Sequence, residues 1–206
     1  ETVQGNSGIH MLHDSQIISA GTGDNAAAIS LKRKGDINLA QTVYGIHMQG
    51  ELTKIESATG SISIKDMTNG GSDDDHGILI EKGAQILSTN KGMITIENTN
   101  TGIGTASLQG NSIHIKDVNT LISTCDGDVT IRGGALEQGG FTGGIYLTEG
   151  AKIHSTGEGK ITLTAKGSSQ INGVPSPEDA ICIANLGTEI SSLHGAISIE
   201  AIGNSE

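Results

Sequence analysis

One motif returns six times along this chain and limits the kind of body the chain can fold into. Its first element is Gly8-Ile9-His10-Met11, Gly45-Ile46-His47-Met48, Gly77-Ile78-Leu79-Ile80, Ser112-Ile113-His114-Ile115, Gly144-Ile145-Tyr146-Leu147 and Ala180-Ile181-Cys182-Ile183. An Ile-x-Ser element follows after about eight residues, and then Gly-x-Ile-Ser/Thr-Ile. The leading isoleucines stand 37, 32, 35, 32 and 36 residues apart. A period of roughly 20–50 residues marks stacked repeats, in which each unit buries its apolar face against its neighbours.

Inside a repeat the apolar residues alternate. Ile78 and Ile80 flank Leu79, Ile86 and Ser88 follow, and Ile94 and Ile96 flank Thr95. Period-two alternation bounded by Gly and Asn marks a strand. No 3.6-residue period persists over eleven residues, and β-branched residues dominate, so helix is a poor alternative. Two steps of eight residues read as two sides of a triangular coil. The rest of each repeat holds a third side and a variable loop. The expected fold is all-β: a parallel β-helix (β-solenoid) of about six coils of roughly 34 residues, three strands per coil. Residues 1–206 form one solenoid domain, with an irregular first coil over 1–44 and regular coils over 45–206. In that first coil the third strand lags by four residues, and Gly35-Asp36-Ile37-Asn38-Leu39 inserts a further strand-like piece.

Like residues then stack on like. The first strand offers the inward columns Ile9, Ile46, Ile78, Ile113, Ile145, Ile181 and Met11, Met48, Ile80, Ile115, Leu147, Ile183. The second offers Ile17, Ile55, Ile86, Leu121, Ile153, Ile190, and the third begins with Ile29, Ile62, Ile94, Val129, Ile161, Ile197. Ser19, Ser57, Ser88, Ser123, Ser155 and Ser192 read as a hydroxyl column at or near a corner. Each fully buried aliphatic contributes roughly 2 kcal/mol, so these columns can drive folding in a chain whose aromatic content is 1%. Neither end shows a capping helix. A bare coil exposes strand edges and apolar core, so the array reads as a piece of a longer protein or a subunit covered by neighbours.

Composition removes several classes of partner. The net charge of −11 opposes the phosphate backbone of nucleic acid and an anionic membrane surface. No run of eighteen apolar residues occurs, so no membrane insertion is expected. Cys125 and Cys182 occupy different places in the repeat, two repeats apart, and a bridge between them is not expected. The chain begins at Glu1, without an initiator Met, and reads as a processed or excised segment.

Three surface features carry chemistry in principle. His10, His47 and His114 share one outward position, where His10 and His47 lie close enough for a shared metal, although the column brings no carboxylate. Asp73, Asp74 and Asp75, with Asn69, Gly70 and His76 nearby, could hold calcium, though the spacing is not that of an EF-hand. No other cofactor is expected. Ser30, Ser63, Thr95, Thr130, Thr162 and Ser198 form an outward hydroxyl ladder, but Lys65, Asp128, Arg132 and Lys160 beside it spoil the flat uncharged plane that ice binding needs. No strand column gathers the carboxylate and Arg or Lys cluster of a polysaccharide-cleaving β-helix, so an enzyme is not expected.

The stretch Gly144-Ile145-Tyr146-Leu147-Thr148-Glu149-Gly150-Ala151-Lys152-Ile153-His154-Ser155-Thr156-Gly157-Glu158-Gly159-Lys160-Ile161-Thr162-Leu163 resembles the β-strand repeats of large bacterial surface proteins. It is also similar to the haemagglutinin repeats of filamentous haemagglutinin-type adhesins and autotransporter passengers. The likeness runs from about residue 44 onward and implies an extracellular, right-handed β-helix serving as stalk, adhesin or fibre. The function expected is a structural subunit or segment of an extracellular bacterial filament or surface protein. Its partners would be further copies or neighbouring solenoid segments, the first coil of one stacking on the last coil of the next. The alternative is an adhesin module whose loops (66–76, 97–111, 132–143 and 165–179) bind a host or matrix ligand. A polysaccharide-cleaving enzyme is the third reading.

Overall fold

The computed structural model describes residues 8–23, 26–36, 44–69, 76–98, 111–134, 143–167, 170–171, 174–175 and 179–203. Three six-stranded parallel sheets wrap one apolar core, and each coil contributes one strand to each sheet. The first sheet contains β1 (Ile9–Leu12), β4 (Ile46–Gln49), β7 (Ile78–Glu81), β10 (Asn111–Ile115), β13 (Gly143–Leu147) and β18 (Ile181–Ile183). The second contains β2 (Gln16–Ser19), β5 (Lys54–Ser57), β8 (Gln85–Ser88), β11 (Leu121–Thr124), β14 (Lys152–Ser155) and β19 (Glu189–Ser192). The third contains β3 (Ile29–Asp36), β6 (Ile62–Asn69), β9 (Ile94–Asn98), β12 (Val129–Gly133), β15 (Ile161–Lys166) and β20 (Ile197–Ile202). A small antiparallel pair, β16 (Gln170–Ile171) with β17 (Val174–Pro175), stands apart. No helix occurs among the described residues, so none is long and apolar enough to cross a membrane. The expected three-stranded parallel β-solenoid is the fold observed.

The first-strand and third-strand columns stack as expected, with Ile46, Ile78, Ile113 and Ile145 in register and fully buried. The second-strand column differs in the fourth coil. Ile122, not Leu121, pairs with Ile86 and Ile153 and is fully buried. Thr124 accordingly takes the place expected for Ser123 in the hydroxyl column, pairing with Ser88 and Ser155. The reason is a strict alternation between coils. Eight positions separate Ile78 from Ile86 and Ile145 from Ile153, but nine separate Ile46 from Ile55, Ile113 from Ile122 and Ile181 from Ile190. The next side compensates: Ile86 to Ile94 and Ile153 to Ile161 are eight, whereas Ile55 to Ile62, Ile122 to Val129 and Ile190 to Ile197 are seven. The true structural repeat is therefore a pair of coils.

The first turn shows why the pair exists. In the third and fifth coils it is tight, with two consecutive left-handed residues: Lys82 and Gly83 (φ 52° and 84°), and Glu149 and Gly150 (φ 57° and 88°). That geometry leaves two amides pointing along the axis, and the longer turn of the next coil satisfies them. Lys82 N–H donates to Asp117 Oδ2 (3.0 Å) and Gly83 N–H to Thr120 Oγ1 (3.0 Å). The pattern recurs between Glu149 N–H and Asn185 Oδ1 (3.4 Å), and between Gly150 N–H and Thr188 Oγ1 (2.9 Å). The Gly83 amide, which is buried, demands such a partner.

At the second corner Gly60, Gly92, Gly127, Gly159 and Gly195 form a column. A Cβ on each would meet the carbonyl oxygen of the equivalent residue one coil below, closer than any real Cβ contact. The first coil carries Ala27 at this place, exposed, with no described coil beneath. In the core of the lower coils Arg33 and Asp66 form a buried ion pair (3.9 Å) on the same column as Asn98. Of the strand-like insertion at Gly35–Leu39, Gly35 and Asp36 extend β3 against Thr68 and Asn69, and residues 37–39 lie outside the described residues.

Gly127→Ala is expected to lower stability by about 1–3 kcal/mol, because the added methyl meets backbone rather than a yielding side chain. Ala27→Gly, the same exchange reversed at the exposed end of the column, is expected to change stability by less than about 1 kcal/mol. Urea melts of the two variants check this difference.

Candidate functional site on the outer face of the first sheet

Alternation places every second residue of the first sheet on its outer face. The register joins His10 to His47, His47 to Leu79, Leu79 to His114, His114 to Tyr146 and Tyr146 to Cys182, as the repeat alignment requires. Tyr44 and His76, which precede the next strands, add rings to the ladder. Tyr44 lies 4.7 Å from His47 between centroids, His76 lies 5.0 Å from His114, and His114 lies 6.1 Å from Tyr146. The chain has three aromatic residues in all, and two of them stand here.

The pairing of His10 with His47 is edge-on at 5.9 Å between ring centroids. The His47 ring turns instead to a carboxylate that the sequence reading missed: its Nε2 lies 3.1 Å from Glu81 Oε1. Glu81 is buried and also meets Lys116 Nζ at 3.3 Å and Lys82 Nζ at 3.6 Å. His114 makes the same diagonal contact one coil pair further on, with Nε2 3.0 Å from Thr148 Oγ1. His76 Nδ1 accepts the Asn111 backbone N–H at 3.1 Å, which fixes its tautomer with the proton on Nε2 when neutral. The signal for Glu81 was present in the sequence: the residue two places after the outward one, on the next coil, faces the imidazole diagonally.

Burial sets the ionisation here. It holds the His114 imidazole down, to about 4, and nearby His76 and Lys116 push the same way. Burial also lowers His47, against the pull of the Glu81 carboxylate. For Glu81, burial alone raises the pKa, but hydrogen bonds from His47 and Lys116 and the lysine charges outweigh it, leaving the carboxyl below its usual range. Burial opposes the Lys116 charge too, yet Glu81 and Asp117 keep its pKa raised. The cluster is thus a carboxylate held between two ammonium groups, beside imidazoles that burial keeps uncharged.

Among the described residues no group of three or more His, Cys, Asp or Glu side chains is placed to hold a metal ion. Asp73, Asp74 and Asp75 lie outside the described residues. The hydroxyl ladder of the third sheet is in register from Ser30 to Ser198, with Lys65 and Glu97 paired across it at 2.7 Å. No disulfide joins Cys125 and Cys182. Compared with known proteins, the chain matches no family model, no curated protein and no solved structure at a significant level.

Stability follows these ionisations. Folded His114 stays neutral where the unfolded chain takes up a proton, so stability is lost as pH falls from about 6.5 toward 4. The contribution of Glu81 persists above about 4.5 and is lost only below that. The fall in melting temperature between pH 7 and 4.5 should therefore be shallower in His114→Gln than in the parent chain, by the equivalent of about 1–2 kcal/mol. Glu81→Gln leaves the Lys116 ammonium without its carboxylate partner and is expected to cost about 1–3 kcal/mol at pH 7, measurable by chemical denaturation.

Proposed function

We propose that this chain is a structural subunit or segment of an extracellular bacterial filament or surface protein, joined end to end with neighbours through exposed coil edges. One observation carries the reading. Core columns that are fully buried in the middle coils surface in the sixth: Ile183, Ile197 and Ile199 are 43%, 44% and 47% exposed. Beside them β18, β19 and β20 are the edge strands of their sheets. A strand edge flanked by apolar side chains favours another β-layer as its neighbour. The bacterial and extracellular part of the proposal rests on the resemblance of residues 144–163 to surface-protein repeats. The reading is non-catalytic: the polar side chains clustered around Glu81 are already paired with one another.

Sedimentation of the 206-residue chain over a wide concentration range tests the proposal, with micrographs of the same samples. Reversible association is expected, and Ile199→Glu should abolish it while leaving the β-type circular dichroism unchanged. A parent chain that remains monomeric at high concentration overturns the reading.

The second reading, an adhesin, draws on the contrast between uniform coils and loops of differing length between the third strand of one coil and the first strand of the next. A saturable ligand on a glycan or matrix-protein array would favour it.

A further inference from the structure

The cations of this chain are not spread evenly over its three sheets. Away from the third sheet most are tied to a carboxylate: Lys54 to Glu56, Lys82 and Lys116 to Glu81, and Lys152 to Glu189. The outer face of the third sheet differs. Lys32, Lys34 and Arg132 project from it, Lys160 stands one residue before β15, and all four are exposed with no ion pair among the described residues. Lys91, also exposed and unpaired there, sits at the second corner, where the coil turns into this sheet. Lys65 and Lys166 lie on the same face, Lys65 paired with Glu97. Against them stand Asp128, Glu97 and Glu200, so among the described residues this face is basic in a chain of net charge −11.

Two further features share this face. The hydroxyl ladder from Ser30 to Ser198 runs up it in register, one rung per coil, about 4.8 Å apart. Beside Arg132 the surface dips into a cleft of about 160 Å³, lined by Asn98, Gly133, Gly134, Thr164 and Lys166 among others. The glycines keep it open: Gly134 holds φ 107°, and a Cβ there would strike Lys166 O. Asn98 is 2% exposed, and its Nδ2 donates to Ser112 O (2.9 Å), whereas its Oδ1 meets no donor among the described residues.

We propose that the outer face of the third sheet binds an acidic polysaccharide, a chain of uronic acid units laid along the rod, with Arg132 and its cleft as the central subsite. The groups present define the ligand. Arg132 and the unpaired lysines call for anions, and the planar guanidinium suits a carboxylate best. Asn98 Oδ1 calls for a hydrogen-bond donor, which a sugar hydroxyl supplies and an ionised carboxylate or phosphate oxygen does not. The Ser and Thr rungs both donate and accept, as sugar hydroxyls do. A pyranose unit is about as long as one coil is tall, about 4.8 Å, so successive units meet successive rungs. Nucleic acid fits less well: among the described residues the face carries no aromatic ring on which a base could stack. The site lies on a sheet face, away from the loops of the adhesin reading, and does not depend on association at the ends.

Titration calorimetry of the 206-residue chain with a galacturonic acid oligomer tests the proposal, beside a neutral glucose oligomer and an oligothymidylate of the same length. Saturable binding of the galacturonate, weakened by added salt and absent for the neutral sugar, is the result expected. Arg132→Ala should weaken it roughly tenfold, since a charge-assisted contact is lost. Arg132 is exposed and unpaired, so the β-type circular dichroism of that variant should match the parent. Lys54→Ala makes the same change of charge on the second sheet and should alter affinity by less than about twofold. No saturable binding of galacturonate, equal losses in the two variants, or tighter binding of the oligothymidylate overturns the proposal. Each of these results leaves end association as it was, because that is read separately by sedimentation.

Discussion

Parallel strands that repeat around a closed coil must arrive at each corner on the same residue, or every side chain above the slip would exchange inside for outside. From the second coil onward the register holds because the leading isoleucine of the first strand and the leading residue of the third are always separated by sixteen positions, from Ile46 and Ile62 to Ile181 and Ile197. How those sixteen are divided is free. Alternate coils move one residue from the second side into the first turn, and the sum is conserved. Everything else in the structure, from the buried isoleucine stacks to the outward ladders, depends on that conserved path length.

The division is then put to use by hydrogen bonding. A tight turn saves a residue but requires left-handed backbone at Lys82 and Glu149 and leaves two amides without partners in their own coil. The longer turn above supplies Asp117 with Thr120, or Asn185 with Thr188, as acceptors. Neighbouring coils are therefore chemically distinct although their cross-sections match. The outer face of the first sheet follows the same rhythm: His47 and His114, both in longer-turn coils, reach diagonally to Glu81 and Thr148 of the tight-turn coils that follow.

Most of the architecture was legible in the sequence because β-branched residues at period two leave little choice of face. The fourth coil was misread at its second strand for a specific reason. Leu121 and Ile122 are both apolar, and Ser123 and Thr124 both carry hydroxyls, so the pattern permits either register. Only the turn length of the even-numbered coils decides it. The corner glycines let one backbone rest on the carbonyl of another, a contact between coils that a single repeat does not reveal. The Glu81 cluster was hidden because its members come from three coils and from different places within the repeat. The acidic run at Asp73–Asp75, prominent in the sequence, falls outside the described residues.

Because adjacent coils differ in kind, the rod has a grain of two coils rather than one. Ile46 and Ile113 stand one such pair apart, as do Ile78 and Ile145, and a gain or loss of that length joins a long-turn coil to a tight-turn coil as before. A gain or loss of a single coil would set two coils of the same kind together. Two tight turns in succession would leave amides without the Thr and Asx acceptors they need, and two long turns would leave those acceptors without amides. A change by an odd number of coils therefore loses first-turn hydrogen bonds that a change by a pair, about 10 Å of rod, keeps.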